Sequence, residues 1–494
     1  MGTKELSVNS HERLSTDKKK LDFLTTEELR EERKNVQKIR NIFALGMYAI
    51  ANSVIVAFIL AYFNLSYLQG LLELEREIAE TIFSYSVAAG SIGFLGTVII
   101  GGAFSDDYRS KYGARAPYIL AGCLLAGFML MLTPIFAGQV DPDLMIILFP
   151  FCFFLIYVGL GLASSPYGAL LSELFTKEQR GWVGLALAGF TVLGTLLGLV
   201  LFSSITRIFM DVGESFQLDI LLEMSFFFFP AVVITTTGVL VFILVEKANP
   251  PFPPIGSPIA DIIKTPQYLF LGGSDYGKMF FVQSFWGFAG ETVSIYLLIH
   301  LTTPTGIPKE QAPLTLILVG LVSAAMVIPA GFFIQKYGKV NTAIVGSLIY
   351  SFFCFLLAGI EIGNYYHLII IIIAIGGFGA VFVESVRVSL PADLVPEGKE
   401  AQFMGLNKFG ATWTQPLVAI LGGFVISIFS GWNISPTFIM FILAGIATVI
   451  ATILLFLISY EKMVRDEYQK FYKRYLAARG FFDKKVDEFV DSIL

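Results

Sequence analysis

Apolar residues in this chain gather into runs of about 20 or more, each the length an α-helix needs to cross the ~30 Å hydrocarbon core of a bilayer at ~1.5 Å per residue. A purely water-soluble fold is excluded. With 55% hydrophobic and 15% charged residues, the polar groups are too few to clothe a soluble chain of 494 residues. The 47 Phe and 46 Gly suit helices that meet lipid on one face and pack closely on the other. Cys123, Cys152 and Cys354 lie singly inside apolar runs, without CxxC spacing or clustered His, so neither a disulfide framework nor a metal site is expected. The first 40 residues are charged and lack the apolar stretch of a signal peptide, so the first spanning helix is expected to direct insertion.

The pattern predicts spans at residues 40–63, 82–104, 117–138, 144–166, 182–206 and 223–245, then at 279–301, 313–335, 341–360, 366–388, 402–430 and 436–459. Charge provides an independent check, because Lys and Arg concentrate on the cytoplasmic side of short loops. With both termini inside, 31 of the 34 basic residues fall on that side, and only Arg76, Arg207 and Lys309 fall outside. The expectation is an all-α membrane protein of twelve transmembrane helices with both termini cytoplasmic. Its parts are a cytoplasmic N-terminal tail (1–39), a six-helix bundle (40–245), a cytoplasmic proline-rich linker (246–278), a second six-helix bundle (279–459) and a cytoplasmic C-terminal tail (460–494). The linker holds Pro250, Pro251, Pro253, Pro254, Pro258 and Pro266, which makes it semi-rigid. In the tails, Thr25 with Glu28 fits a capping box, and Tyr468, Phe471, Tyr472 and Tyr475 recur at helical spacing.

The two bundles echo each other. GGAFSDDYRSKYGARAPYILAG (residues 101–122) and AGFFIQKYGKVNTAIVG (330–346) occupy corresponding loops and share Lys-Tyr-Gly. One pair of loops further on, Glu173-Leu174 aligns with Asp393-Leu394, and Gly184-Leu185 with Gly405-Leu406. This is the trace of a parallel structural repeat, which places a cavity between two similar halves and lets it open to each side in turn.

The run Gly101-Gly102-x-x-Ser105-Asp106, followed by Arg109, Gly113, Arg115 and Pro117, resembles the loop signature of the major facilitator superfamily. Together with Ser165-Pro166-Tyr167-x-Ala169-Leu170-Leu171, it is most similar to the glycoside-pentoside-hexuronide cation symporters and the sucrose-proton symporters. The resemblance implies a secondary transporter of the plasma membrane that carries a sugar or glycoside with H+ by alternating access. The departures are Ala114-Arg115-Ala116, where the family has consecutive arginines, and a helix 2 without the acidic residues that sodium-linked members use. A carrier of the same fold for another small solute (a metabolite, lipid or drug-like compound), coupled or uncoupled, is the alternative, and a non-transporting sensor or scaffold a remote one.

Particular residues carry these expectations. Gly101 and Gly102 allow close helix approach, and Asp106 and Asp107 are expected beside the N-terminus of helix 3, where Arg109 and Arg115 can pair with them as a gate. Glu384, Arg387 and Lys408 are expected to form a similar latch in the second half. A charge deep in the bilayer costs at least ~2.5 kcal/mol, so Glu291 should face the interior and serve as the proton-coupling residue. Ser284, Gly287, Glu291 and Ser294 give its helix one small or polar face. Tyr48, Asn52, Tyr157, Gln283, Trp286, Asn407, Thr412, Trp413 and Gln415 are candidate solute contacts, because hydroxyl-rich ligands need hydrogen bonds and aromatic faces. His300 reads as structural, and Pro166, Pro230, Pro329 and Pro416 as sites of helix bending. No enzymatic chemistry is expected: GGSDYGK (272–278) lacks the Ser or Thr of a phosphate-binding loop, and His11, His300 and His367 form no HExxH. No cofactor, ATP or nucleic acid is expected as a partner, only a small solute, H+ and the lipid bilayer.

Overall fold

The computed structural model describes residues 37–59, 62–63, 67–68, 72, 74–137, 141–212, 216–245, 275–302, 312–359, 366–395, 399–429 and 436–458. The capping box, the aromatic run of the C-terminal tail and all the linker prolines lie outside these residues. Among the described residues the regular structure is helical throughout.

The first half comprises α1 (Gln37–Ala57), α2 (Arg76–Asp107), α3 (Ala116–Ala137), α4 (Pro142–Leu174), α5 (Lys177–Val212) and α6 (Phe216–Leu244). The second comprises α7 (Asp275–Thr302), α8 (Ala312–Tyr337), α9 (Lys339–Gly359), α10 (Tyr366–Arg387), α11 (Glu400–Thr412), α12 (Thr414–Phe429) and α13 (Pro436–Phe456). Ten helical stretches of the described residues are singly long and apolar enough to cross a membrane, so the chain is a multi-pass integral membrane protein. Two further segments reach that length. The first is α7, with 28 residues and several polar side chains. The second is α11 followed by α12, interrupted at Trp413 just before Pro416, which has no N–H to donate to the preceding turn. Pro166, Pro230 and Pro329 sit inside α4, α6 and α8.

The halves repeat in space as they do in sequence. In the first, α2 packs on α4, α4 on α3 and α3 on α6; in the second, α8 packs on α10, α10 on α9 and α9 on α13. The glycine of each Lys-Tyr-Gly takes the same left-handed conformation, with φ of 85° at Gly113 and 82° at Gly338, a region that favours glycine. In each, the lysine lies over the adjacent tyrosine ring, Lys111 on Tyr112 at 5.0 Å and Lys336 on Tyr337 at 5.2 Å.

Two seams join the halves, α2 and α4 against α11, and α5 against α8. The first is a backbone-to-backbone approach. A Cβ on Gly102 would come within 2.5 Å of the Ala401 carbonyl oxygen, and one on Gly405 within 2.6 Å of the Val98 carbonyl oxygen. Between them, the Ser165 hydroxyl donates to the Val98 carbonyl at 2.7 Å and stands 3.2 Å from that of Ala401. Small residues are the usual means of joining helices in lipid, where burial of apolar area supplies no drive. Gly102→Val should therefore overpack the seam at a cost of ~1–3 kcal/mol and lower the thermal unfolding midpoint in detergent. Gly96→Ala, on the same helix but with nothing within 4 Å of its Cβ position, should leave that midpoint unchanged or raise it.

Candidate functional site

The site has two layers, an ionic latch at the loop end of the seams and, deeper, a group of polar and titratable side chains within electrostatic reach of one another. The latch is built on Arg115, at the start of α3, which is 1% exposed. Its guanidinium meets Asp106 at 2.7 Å, donates to the Ser105 hydroxyl at 2.9 Å and grips Glu173 at the end of α4 through both Nε, at 2.8 Å, and Nη2. Glu400, on α11 of the other half, lies 3.6 Å away. Burial alone would disfavour the charge on Arg115, but Asp106 and Glu173 outweigh it and raise its pKa above the ordinary value. Asp106 also crosses the seam, accepting from the backbone N–H of Ala401 at 3.0 Å and of Gln402 at 2.8 Å. The helix N-terminus that receives this carboxylate is thus that of α11 and not, as predicted, that of α3. The physical reason is the same, since unpaired N–H groups at a helix start favour an anion. Asp107 pairs with Lys399 across the seam at 3.8 Å. Arg109 turns back on its own helix end, donating to the carbonyls of Asp106 at 2.6 Å and Tyr108 at 2.8 Å. Gly101 packs within the first half, against the Leu162 backbone.

The second seam carries the repeat of this arrangement, on residues that the sequence reading did not assign to it. Asp393 accepts from Lys339 at 2.5 Å and pairs with Arg180 at 3.3 Å. Arg180 reaches across from α5 to the Ala392 carbonyl at 2.9 Å and holds its own half through the carbonyls of Ser172 at 2.5 Å and Phe175 at 3.0 Å. Asp393 stands where Glu173 stands in the first half, and Lys339 where Arg115 stands. The aligned pairs Glu173-Leu174 and Asp393-Leu394 were the signal that could have found them.

Glu384, Arg387 and Lys408 do not form the second latch. The span that carries the first two runs on through a short helical turn, Ser389–Ala392, so its loop end lies beyond them. Lys408 is eight residues past Glu400, or ~12 Å deeper. All three are partly buried and lie within electrostatic reach of one another. Arg387 pairs with Glu384 at 3.3 Å and exchanges hydrogen bonds with Gln283, its Nε donating to Gln283 Oε1 at 3.2 Å and Gln283 Nε2 donating to the Arg387 carbonyl at 2.8 Å. Lys408 lies within Coulomb reach of both Glu384 and Arg387 without an ion pair of its own.

Glu291, half-buried on α7, lies within electrostatic reach of Arg387, of Tyr157 on α4 and of Tyr350 on α9, and makes no ion pair or hydrogen bond among the described residues. The face of α7 that leads to it is only partly open. Ser284 accepts from the Trp413 indole at 2.9 Å, and Gly287 abuts the Ala411 carbonyl. Of the candidate solute contacts, four spend polar atoms on interhelical bonds: Gln283 and Trp413 as described, Trp286 donating to the Ser347 hydroxyl at 2.8 Å, and Gln415 accepting from Ser91 at 2.8 Å. Asn52, Tyr157, Asn407 and Thr412 make no hydrogen bond among the described residues. Tyr48 packs on Tyr167 with ring centroids 4.3 Å apart, and its buried hydroxyl has no hydrogen-bond partner among the described residues. His300 bonds Thr437 at 2.8 Å and packs edge-on against Phe441, a structural placement.

Comparison with known proteins supplies the frame for this geometry. Residues 279–482 match the family model of the Major Facilitator Superfamily. The proton:xylose symporter XylE bound to 6-bromo-6-deoxy-D-glucose superposes with a TM-score of 0.65 at 15% identity, over 84% of this chain and 95% of its own. The chain has the major facilitator fold. The human organic anion transporter MFSD10 shares that fold with a TM-score of 0.65 at 15% identity, over 84% of this chain and 99% of its own. So does the E. coli fucose:proton symporter FucP, with a TM-score of 0.59 at 12% identity, over 85% and 98%. No curated protein matches the sequence.

In a major facilitator fold the latch ties the halves at one end of the cavity. Arg115→Gln would remove the guanidinium that Asp106, Glu173 and Glu400 share at the closed seam. Maleimide labelling of a cysteine placed at Ser165, which is buried in the seam, should then quicken about tenfold, the equivalent of ~1.4 kcal/mol. The three native cysteines are buried and give a low background.

Proposed function

We propose that this chain is a secondary transporter of the major facilitator superfamily that moves a sugar or glycoside together with H+ by alternating access across the plasma membrane. The observation that carries the reading is Glu291. It is a carboxyl half-buried between the two halves, with no ion pair among the described residues, and within reach of an arginine already shared between Glu384 and Gln283. A group so placed gains or loses a proton without breaking a bond of its own, and the change in its charge is felt by Arg387. Gradient energy enters by that route, since protonation alters the balance between the two access states only through contacts that differ between them. The hydrogen-bonding groups left uncommitted, on Tyr48, Asn52, Tyr157, Asn407 and Thr412, suit a polyhydroxyl solute, and Trp413 and Trp286 add aromatic surface. The bundles 40–245 and 279–459 would rock on the latch, joined by the linker 246–278, with both tails on the cytoplasmic side.

A second reading has an observation in its favour. Lys408 is a partly buried cation without an ion pair among the described residues, which suits an anionic metabolite carried by the same machinery.

The test is uptake into proteoliposomes under an imposed pH gradient, screened over neutral sugars, glycosides and their acidic counterparts. Wild-type protein should accumulate its solute uphill. Glu291→Gln should lose that accumulation while retaining solute exchange at equal concentrations. Accumulation by Glu291→Gln equal to wild type would overturn the assignment of the proton to this residue.

A further inference from the structure

The latch on Arg115 holds more carboxyl groups than cations. Among the described residues, Asp106, Asp107, Glu173 and Glu400 meet there with Arg109, Arg115 and Lys399, four acids against three bases. Three of the acids crowd one guanidinium. Asp106 is the best supplied of them, since it also accepts from the Ala401 and Gln402 N–H groups. Glu173 and Glu400 approach the same nitrogen, Nη2, from opposite halves, Glu400 at 3.6 Å and Glu173 closer. Sharing one nitrogen puts those two carboxyl oxygens within ~6 Å of each other, close enough for like charges to resist ionising together.

Glu173 adds a second sign of excess acid. Its Oε1 takes both hydrogen bonds that Arg115 gives it, while its Oε2 is buried with no hydrogen-bond partner among the described residues. The side chain is only 7% exposed, so that oxygen is costly to keep charged. The other charges on the helices around the pair are engaged elsewhere. Asp107 pairs with Lys399, Arg109 donates to the Asp106 and Tyr108 carbonyls, and Arg180 binds the Ser172 and Phe175 carbonyls and Asp393.

We propose that Glu173 and Glu400 share one proton while this seam is closed and give it up when the halves part. Separation carries Glu400 away with its own half and leaves Arg115 to Glu173 and Asp106, so each carboxyl can stand ionised. Closing takes one H+ from the water at the loop end, and opening returns it there. Because the closed state binds the extra proton, it is favoured at low pH and loses ground as pH rises through the closed-state pKa of the pair. In that window the closed-to-open ratio falls by up to about tenfold per pH unit. The inference rests on the halves separating, as alternating access requires, and not on the solute or on the proton assigned to Glu291.

Spin labels read that ratio as a distance. They are placed at Lys111→Cys and Lys336→Cys, exposed positions in corresponding loops of the two halves, and the three native cysteines are buried. The full chain carries Glu291→Gln throughout, so that residue contributes nothing to the pH dependence. From about pH 5 to about pH 9 the short-distance, closed population should fall, with a slope of up to about tenfold in ratio per unit. Glu400→Gln and Glu173→Gln each imitate the protonated carboxyl, and each should flatten the slope. They are measured separately, so a folding defect in one leaves the other to decide. A distance distribution unchanged across the range, or a slope that survives both substitutions, would overturn the shared proton and leave the reading of Glu291 standing. A slope that both substitutions abolish, in a chain whose wild type accumulates no solute, would uphold the shared proton and remove the assignment of Glu291.

Discussion

Arg115 is the hinge on which the closed arrangement turns. A guanidinium buried to 1% exposure persists only if its donors are met, and here they are met by groups from three places: Asp106 and Ser105 on α2, Glu173 on α4 and, across the seam, Glu400 on α11. Satisfying one side chain thus fixes the relative position of four helices. Asp106 does the same in reverse, since its carboxylate is held by Arg115 from its own half and by two backbone N–H groups from the other. The contacts that cross the seam, Arg115 with Glu400 and Asp106 with the Ala401 and Gln402 N–H groups, are lost when the halves separate. The close approach at Gly102 and Gly405 is what lets side chains this short span the seam at all.

Much of this was legible in the sequence, and the limits of legibility are physical. Run lengths and the distribution of lysine and arginine gave the spans, because hydrocarbon thickness and loop charge act locally along the chain. The loop motif named Asp106 and Arg115 correctly as partners, since they lie on either side of one short turn. It misplaced the helix that Asp106 caps, because α11 is nearly 300 residues away and only the fold brings it near. Gln283, Trp286 and Gln415 have the composition of ligand contacts, yet the rotation of each helix directs their polar atoms to Arg387, Ser347 and Ser91. Periodicity reveals that a helix has a polar face; it does not reveal whether another helix already occupies that face.

Depth was the other quantity that the pattern misjudged. The apolar run that carries Glu384 and Arg387 ends near residue 388, which suggests a loop, but the helical turn Ser389–Ala392 is itself buried and extends the span. The two residues therefore fall inside the protein, beside Tyr167 and within reach of Glu291, and their place at the seam is taken by Asp393. The repeat, read as a spatial rule, resolves this. The pair of Arg115 and Glu173 at the ends of α3 and α4 is repeated by Lys339 at the start of α9 and Asp393 just past the helical turn that follows α10.

The two ties differ in a way that bears on motion. Arg115 faces three carboxylates, whereas Asp393 faces two cations, so the shared ion is a cation in one seam and an anion in the other. An apolar seam of similar extent would gain about 25 cal/mol for each Å² removed from water and would resist opening in proportion to its area. Buried ion pairs behave otherwise. The attraction gained on closing is largely offset by the water given up, so the net preference for the closed state is small even though each lost contact is individually costly. A carrier needs that property, because access states that differ by many kcal/mol would leave one of them unvisited. Charged seams fastened through glycine contacts specify one closed geometry while keeping its free energy near that of the open one.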